Sequence, residues 1–254
     1  MHKFLLSVVI PSYNEMGNLR KGILDKVEHY LTKQQYDYEV IIVDDGSDDG
    51  SLEFVREFVA DNKKFKLIEN SHMGKAGAVT TGVLAAHGPY ILFTDMDQAT
   101  PIGEVEKLLP FIDPPAGGGY DVVIGSRSSR PGAPLSRRFM SRSSVFLRKL
   151  IVGIPTISDT QCGFKLFKKD AAHAIFEKVK KIHRGFRQIH GSSVTSGFDI
   201  ELLYIAQKMG YRIKEVPVDW LYVETRRVSP IKDSVEGFSD LLTIRKNITK
   251  GIYD

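Results

Sequence analysis

Short apolar runs alternate with helically spaced apolar positions through the first half of the chain. Apolar runs predict buried strands at residues 6–10, 40–43, 65–68, 90–94 and 121–124. Helical spacing predicts helices at residues 19–30, 52–59, 76–86 and 102–111. In the last helix, Thr100 is the expected N-cap and Pro101 the expected first residue. This alternation predicts an α/β fold, a mostly parallel sheet flanked by helices.

The second half of the chain is less regular. Its apolar runs predict strands at residues 163–168 and 212–220. Helical spacing predicts helices at residues 138–151, 171–179, 199–209 and 233–249. The first of these is basic and the last, at the C-terminus, is amphipathic. Residues 180–196 are rich in basic residues, glycine and serine, and we expect a loop there.

Polar clusters follow four of the predicted strands. These clusters are Tyr13-Asn14-Glu15, Asp44-Asp45, Asp95-Met96-Asp97 and Ser126-Arg127. In open α/β sheets, ligands bind in the crevice beyond the carboxyl ends of the strands. We therefore expect the four clusters to meet at one edge of the sheet and to form the functional site.

The pair Asp95 and Asp97 is the sharpest local signal. In an extended chain, residues two apart project from the same face, so both carboxylates point one way. Adjacent anions repel unless a cation lies between them. Mg²⁺ or Mn²⁺ shared with substrate phosphates would supply that cation. The alternative is an ordinary solvated loop or a helix cap.

Two further segments have both a structural and a functional interpretation. The segment Asp44-Asp45-Gly46-Ser47 is typical of a turn, but one aspartate could accept a hydrogen bond from a nucleobase on which Tyr13 stacks. The segment Gly74-Lys75-Ala76-Gly77 could bind a diphosphate with its amides and ammonium. It matches neither a Walker motif nor a dinucleotide fingerprint, so a helix cap with a surface lysine is the alternative.

Composition and cysteine content restrict the class of protein. The 254 residues, 42% of them hydrophobic, suffice for one α/β domain or two small ones. Cys162 is the single cysteine, which excludes an internal disulfide and a cysteine-built zinc site. It suits a reducing cytosol, and we expect it to be buried. No stretch reaches the roughly 18 apolar residues of a spanning helix. We therefore expect a cytoplasmic protein, peripheral at a membrane, without a transmembrane segment.

Basic residues are concentrated in one stretch, although the net charge is only +4. Between Asp121 and Asp159 there is no acidic residue, whereas the interval holds Arg127, Arg130, Arg137, Arg138, Arg142, Arg148 and Lys149. This favours an anionic partner over a solvated face. Residues 127–149 are expected to contact a membrane surface, with a helix packed on the sheet as the alternative. Nucleic-acid binding is not expected, because base-stacking aromatics are not interleaved with the arginines.

Motifs along nearly the whole chain resemble one enzyme family. VVIPSYNE, VDDGSDDGS, HMGKAGAV, FTDMDQAT and IGSR occur in the order and spacing of family 2 glycosyltransferases with the GT-A fold. DTQCGFKLF, GFDIELLY, EVPVDW and PIKDSVEGFSDLLTIRKNITKGIY resemble the dolichyl-phosphate β-glucosyltransferase branch, which belongs to the polyprenyl-phosphate transferases. Met96 and Gln98 depart from the branch's usual Asp-Ala-Asp-Gly-Ala-Thr.

The resemblance implies a domain arrangement and a set of ligands. A GT-A catalytic domain would cover residues 1–225, with a nucleotide-binding half at 1–125 and an acceptor-binding half at 126–225. Residues 226–254 would form a C-terminal helical tail. The implied ligands are a UDP-sugar donor, a lipid-phosphate acceptor and Mg²⁺ or Mn²⁺.

On the donor side, the resemblance implies roles for residues at the strand ends. The metal on the diphosphate would be held by Asp95 and Asp97, and Lys75 would lie near the nucleotide. The uracil would be surrounded by Pro11, Tyr13, Glu15 and Asp45.

On the acceptor side, the resemblance implies that Arg127 meets the acceptor phosphate or the sugar. Asp159, with Gln161 and Lys165 nearby, would line the reaction centre, as would Asp199 or Glu201. A phosphate monoester carries about 1.5 to 2 negative charges near pH 7, so it needs cations more than a base. Asp159 is thus a base, a substrate ligand or a structural aspartate. Asp199 and Glu201 would lie about 200° apart on a helix, so one of them is expected to face the site.

Three functions are compatible with the sequence. The first is inverting, metal-dependent transfer of glucose from UDP-glucose to a dolichyl or polyprenyl phosphate. The second is transfer by the same family from another nucleotide sugar or to a polysaccharide or protein acceptor. The third is a nucleotide-binding protein without turnover, which the carboxylate pair, Arg127 and Asp159 argue against.

Overall fold

The computed structural model describes residues 5–114, 117–127, 151–154, 157–186, 197–221 and 230–254. Within these ranges the strands are β1 (Leu5–Ser12), β2 (Asp37–Asp44), β3 (Phe65–Glu69), β4 (Tyr90–Thr94), β5 (Val122–Ser126), β6 (Phe164–Lys168) and β7 (Ile213–Pro217). Each strand overlaps one of the predicted apolar runs, so the strand predictions are confirmed.

The helices alternate with these strands along the chain. They are α1 (Met16–Leu19), α2 (Ile23–Leu31), α3 (Ser51–Asp61), α4 (Gly74–Leu84), α5 (Val105–Ile112), α6 (Lys169–Ile182), α7 (Gly197–Lys208) and α8 (Pro230–Thr249). The strand–helix alternation predicted for the first half is therefore present.

One seven-stranded sheet forms the centre of the molecule, in the order β3-β2-β1-β4-β6-β5-β7. Strand β6 runs antiparallel to β4 and β5, and the other neighbouring strands are parallel. The register pairs Ser12 with Asp44, Thr94 with Phe164 and Ser126 with Pro217. The carboxyl ends of the parallel strands and the start of β6 therefore lie at one edge.

Helices cover both faces of the sheet. Val9 and Phe93 belong to a buried cluster that also includes side chains of α4, α6 and α7. Val8 and Leu92, the neighbours of these residues along the strands, face the opposite cluster with α2, α3 and α5. Successive strand residues point to opposite faces, which explains the two clusters. Because both faces are buried, a substrate must approach an edge of the sheet.

Two helix predictions are wrong in detail. The helix predicted at residues 19–30 is broken into α1 and α2, because Gly22 lies between them with a left-handed φ of 66°. Thr100 does not cap the helix predicted at 102–111. Pro101 instead precedes a short 3-10 turn, Ile102–Glu104, without a side-chain cap. Thr100 is buried, and its Oγ1 lies 3.9 Å from Cys162 Sγ.

The loop predicted at residues 180–196 begins later than expected, because α6 continues to Ile182. Residues 187–196 lie outside the described residues. The predicted helix at 138–151 lies outside them as well, except at residue 151, and so does the basic stretch from 128 to 149.

The C-terminal helix α8 packs against the buried cluster on the face of the sheet that α4, α6 and α7 cover. Leu241 and Ile244 are buried in that cluster, whereas Phe238 and Leu242 are 46% and 50% exposed. Across the described part of the chain, no helix combines the length and the apolar character that crossing a bilayer requires.

Glu39 connects several elements at the amino edge of the sheet. Its buried carboxylate accepts hydrogen bonds from the Ser7 hydroxyl (2.6 Å), the His87 N–H (2.7 Å) and the Lys66 ammonium (2.8 Å). Burial acts to raise the pKa of Glu39, but hydrogen bonds from Lys66, Ser7 and His87 outweigh it and lower the pKa to about 2. The ionised carboxylate therefore stabilises the fold.

We expect Glu39→Gln to lower the free energy of unfolding at pH 7 by about 2 kcal/mol. The folded pKa lies below the ordinary glutamate value of about 4.3, so this stabilisation is present above that pH. It is lost as the pH falls from about 4.3 towards 2. Urea unfolding of both proteins across this range measures the effect. The exposed Glu57→Gln variant is the control, and equal unfolding free energies of wild type and Glu39→Gln at pH 7 would contradict the assignment.

Candidate active site

A polar cleft of about 160 Å³ lies at the carboxyl edge of the sheet. The end of β4 and the segments that follow β4, β5 and β7 or precede β6 contribute to it. Its lining consists of Thr94, Asp95, Asp97, Ala99, Thr100, Arg127, Gln161, Cys162, Gly163 and Trp220. The cleft therefore contains the two predicted metal ligands and the predicted phosphate-binding arginine.

Asp95 and Asp97 lie in a tight turn immediately after β4. The Gln98 N–H donates to the Asp95 carbonyl oxygen (3.3 Å), and Gln98 has a left-handed φ of 48°. The Asp97 carboxylate accepts the Ala99 N–H (3.0 Å). This turn keeps both carboxylates at the same cleft.

Gly163 makes room for the Asp95 carboxylate. A Cβ atom at this position would lie 1.9 Å from Asp95 Oδ2, far inside van der Waals contact. Because β6 is antiparallel to β4, Gly163 arrives at the carboxyl edge just before Phe164 pairs with Thr94. A larger residue here would therefore require the Asp95 carboxylate to move, whereas the backbone conformation of Gly163 does not demand glycine.

Lys75 forms an ion pair with Asp95, one member of the carboxylate pair. Its Nζ lies 2.7 Å from Asp95 Oδ1 and 5.3 Å from the centre of the Phe93 ring. Burial favours the neutral amine, but the charges of Asp95, Asp199 and Asp97 raise the pKa of Lys75. The side chain is thus a cation directed at the cleft and not the exposed surface lysine of the alternative interpretation.

Asp45 caps α4. Its carboxylate accepts the backbone N–H groups of Met73 (2.8 Å) and Gly74 (2.7 Å), and the Gly74 N–H is one of the amides predicted to bind a diphosphate. The capping interpretation therefore holds for these two amides. Burial, the largest influence, raises the pKa of Asp45, although these amides and His72 oppose it.

His72 lies between Tyr13 and Asp45 and contacts both. The Tyr13 and His72 rings stack with centroids 4.2 Å apart, and His72 Nδ1 lies 3.1 Å from Asp45 Oδ2. The structure thus brings Tyr13 and Asp45 together, as the family motifs imply. His72 was not singled out from the sequence, although it lies in the motif HMGKAGAV.

The remaining donor-side residues lie at the ends of β1 and β2. Pro11 pairs with Val43 in the sheet, and the Glu15 carboxylate accepts the Asn18 amide (2.6 Å). Asp44 holds its own turn, because it accepts the Ser47 hydroxyl (2.6 Å) and nearby backbone amides. Of the two adjacent aspartates, Asp44 is therefore the one that stabilises the turn.

Arg127 and Asp159 form a bidentate ion pair at the cleft. Arg127 Nε and Nη2 each lie 2.7 Å from an Asp159 oxygen, and the Arg127 N–H also donates to Asp159 (2.9 Å). Burial acts against the charged guanidinium, but the hydrogen bonds and charge of Asp159 raise the pKa of Arg127. The Asp159 backbone N–H in turn donates a hydrogen bond to the Glu215 carboxylate (2.8 Å). Asp159 is therefore engaged in orienting Arg127.

Asp199 and Glu201 point in different directions, as the helical spacing predicted. Asp199 lies 2.5 Å from the ammonium of the fully buried Lys165, which also donates to the carbonyl oxygen of the cleft residue Cys162 (2.6 Å). Glu201 instead contacts His183 and Tyr253, each at 2.6 Å. The structure thus connects Asp199 to the cleft but does not bring Glu201 there.

Trp220 and Cys162 line the cleft without having been predicted to do so. Cys162 is buried as expected, and burial raises the pKa of its thiol. Trp220 follows β7, whose last residue pairs with the end of β5. The motif EVPVDW contained the only available signal for the tryptophan.

The two aspartates suit a hard divalent ion that shares its ligands with a substrate. Mg²⁺ commonly binds through one or two carboxylates together with phosphate oxygens and water. Among the described residues, no group of three or more histidine, cysteine, aspartate or glutamate side chains could hold a metal. Asp95 and Asp97 therefore fit an ion completed by a diphosphate better than a closed protein site.

Comparison with known proteins agrees with this geometry. The profile described as Glycosyl transferase family 2 matches residues 7–176. The dolichyl-phosphate beta-glucosyltransferase of Saccharomyces cerevisiae is 34% identical over 271 aligned residues, which cover 99% of this chain and 77% of the yeast protein.

Two solved structures share the fold. A mannosyltransferase from Pyrobaculum calidifontis, in complex with GDP-Man and Mn²⁺, has a TM-score of 0.61 at 20% identity and covers 100% of this chain and 66% of its own. Glucosyl-3-phosphoglycerate synthase from Mycobacterium tuberculosis, in complex with Mn²⁺, UDP and glucosyl-3-phosphoglycerate, has a TM-score of 0.56 at 19% identity, covering 96% and 80%. At such identities the likeness shows the fold alone.

The sheet and its covering helices have the GT-A fold. Sequence then assigns the particular family. The chain belongs to glycosyltransferase family 2.

We expect Gly163→Ala to lower the affinity for Mn²⁺ in the presence of UDP by about 10- to 100-fold, because the new Cβ would displace the Asp95 carboxylate. Titration followed by the electron paramagnetic resonance of free Mn²⁺ measures this affinity. Gly17→Ala is the matched control, since a Cβ there meets nothing within 4 Å. Unchanged Mn²⁺ affinity in a folded Gly163→Ala protein would contradict the placement of the ion beside Asp95.

Proposed function

We propose that this enzyme transfers glucose from UDP-glucose to a dolichyl or other polyprenyl phosphate, with inversion at the anomeric carbon. The observation that carries the proposal is the shared cleft of Asp95, Asp97 and Arg127. It offers carboxylates for a cation on the donor and a guanidinium for an anionic acceptor. The similarity to dolichyl-phosphate beta-glucosyltransferases over nearly the whole chain supports the choice of sugar and acceptor.

Asp95 and Asp97 hold the divalent ion, Mg²⁺ or Mn²⁺, in this proposal. When bound, such an ion stabilises the negative charge that develops on a departing diphosphate. Crystals of fold neighbours that contain Mn²⁺ support a divalent metal. Lys75 contributes a second positive charge on the donor side, since its ammonium already lies at Asp95.

The nucleoside is assigned to the surface formed by Tyr13 and Asp45, with Pro11 and Glu15 at its border. Tyr13 and His72 present a stacked aromatic pair beside the Asp45 carboxylate. An aromatic face and a nearby hydrogen-bond acceptor suit the flat surface and the ring N–H of a uracil. The connection from Asp45 through α4 to Lys75 links this surface to the cleft.

The acceptor phosphate is assigned to Arg127. Asp159 binds two of the five guanidinium N–H donors and fixes the plane of the group, which leaves further N–H groups for a phosphate. A phosphate monoester is ionised near neutral pH and attacks without a general base. Asp159 is therefore a positioning residue. Asp199 acts on the cleft only indirectly, through its ion pair with Lys165.

A lipid acceptor requires that the enzyme work at a membrane surface. We propose a peripheral association on the cytoplasmic side, with residues 127–149 as the basic contact. The basic sequence of this stretch and the absence of acids between Asp121 and Asp159 support that contact.

Transfer can be tested with radiolabelled nucleotide sugars and short-chain polyprenyl phosphates in detergent. We expect an organic-soluble glucosyl lipid from UDP-glucose and Mn²⁺ or Mg²⁺. UDP-N-acetylglucosamine, UDP-glucuronate and GDP-mannose form the comparison arms, and a polysaccharide acceptor tests the alternative within the family. Absence of a lipid-linked product with every sugar would contradict the proposed acceptor.

We expect Asp97→Asn to lower kcat by at least about a hundredfold, because it removes one of two carboxylates that hold the charge on the leaving diphosphate. Initial rates at saturating UDP-glucose measure the effect. Asp61→Asn, at the exposed C-terminal end of α3, is the control and is expected to retain the wild-type rate. An Asp97→Asn enzyme with the wild-type rate would contradict the metal site.

A further inference from the structure

The charges around the cleft are unequally paired. Arg127 is bound to Asp159, and Lys165 is bound to Asp199. Lys75 alone among these three cations contacts the carboxylate pair, through Asp95. Lys75 is thus a direct counter-ion of one member of the carboxylate pair.

The ammonium of Lys75 lies 2.7 Å from Asp95 Oδ1, one of the oxygens that would hold a divalent ion. A divalent ion bound to Asp95 and Asp97 would lie close to Lys75, and the two cations would repel each other. A diphosphate removes this conflict, because it offers anionic oxygens to both cations. Metal and diphosphate should therefore bind together more readily than the metal binds alone.

We propose that Lys75 is an exchangeable counter-ion, which holds Asp95 before the donor binds and moves to the diphosphate when metal and donor bind. This inference rests on the proposed function, since it requires a metal and a diphosphate at this cleft. It makes Lys75 a positioning residue that sets the order of binding.

The surroundings of Lys75 permit such an exchange. Its backbone lies in the first turn of α4, which Asp45 fixes by accepting the Gly74 N–H. The Lys75 side chain is 24% exposed and that of Asp95 is 37% exposed, so water can reach the pair. A lysine is a point charge on a flexible stem, so the amine can move while the helix stays in place.

Direct measurement of Mn²⁺ binding tests the exchange without measuring turnover. Full-length wild type and Lys75→Met are titrated with MnCl₂, with and without UDP, and free Mn²⁺ is followed by electron paramagnetic resonance. Without UDP, we expect Lys75→Met to bind Mn²⁺ about tenfold more tightly than wild type, because the competing cation is gone. UDP should strengthen Mn²⁺ binding to wild type by a factor within the usual range of about 5- to 150-fold. That factor should be smaller for Lys75→Met.

Three further variants make the result specific. Lys75→Arg keeps the charge and should bind Mn²⁺ like wild type. Lys75→Gln is a second neutral variant, used if Lys75→Met loses cooperative thermal unfolding. Lys64→Met removes a lysine that pairs with Asp37 at the amino edge of the sheet, and it should leave Mn²⁺ binding unchanged.

Two results would overturn the inference in distinguishable ways. If wild type binds Mn²⁺ with UDP but the neutral variants bind Mn²⁺ alone no more tightly than wild type, Lys75 is not an exchangeable counter-ion and the proposed function stands. If wild type binds no Mn²⁺ even with UDP, the metal-dependent function fails and this inference fails with it.

Discussion

Repulsion between two carboxylates is the constraint around which the candidate site is organised. Asp95 and Asp97 leave the end of a buried strand and face the same cleft, where like charges need a nearby cation. The Lys75 ammonium is one such cation, and a divalent ion shared with a diphosphate would be a second. Gly163 permits the arrangement, since any side chain there would occupy the space of the Asp95 carboxylate.

The sheet brings motifs that are distant in the sequence together at one site. Its parallel strands end at one edge, and the antiparallel β6 begins there, so residues 161–163 reach the same cleft as Asp95 and Arg127. Two ion pairs then fix the acceptor side, Arg127 with Asp159 and Lys165 with Asp199. The two sides therefore differ in charge, since the donor side presents two carboxylates with Lys75 and the acceptor side presents an oriented guanidinium.

Sequence patterns predict the strands and their convergence well, because a strand buried on both faces is a continuous apolar run. They predict contacts between distant residues poorly. Asp45 caps a helix 29 residues later, and Arg127 pairs with an aspartate 32 residues away, so no local pattern contains either contact. The same limit explains Thr100, whose cap-like position is overridden by burial against Cys162. Helical spacing did separate Asp199 from Glu201, but only packing decides which one approaches the cleft.

The proposed site depends on a cation held between these carboxylates and a diphosphate. Diffraction from crystals grown with Mn²⁺ and UDP, recorded at the manganese absorption edge, would locate the ion directly. We expect one anomalous peak about 2 Å from oxygens of Asp95 and Asp97 and of the diphosphate. A diphosphate bound in the cleft with the ion on other residues, or with no ion beside Asp95 and Asp97, would contradict it.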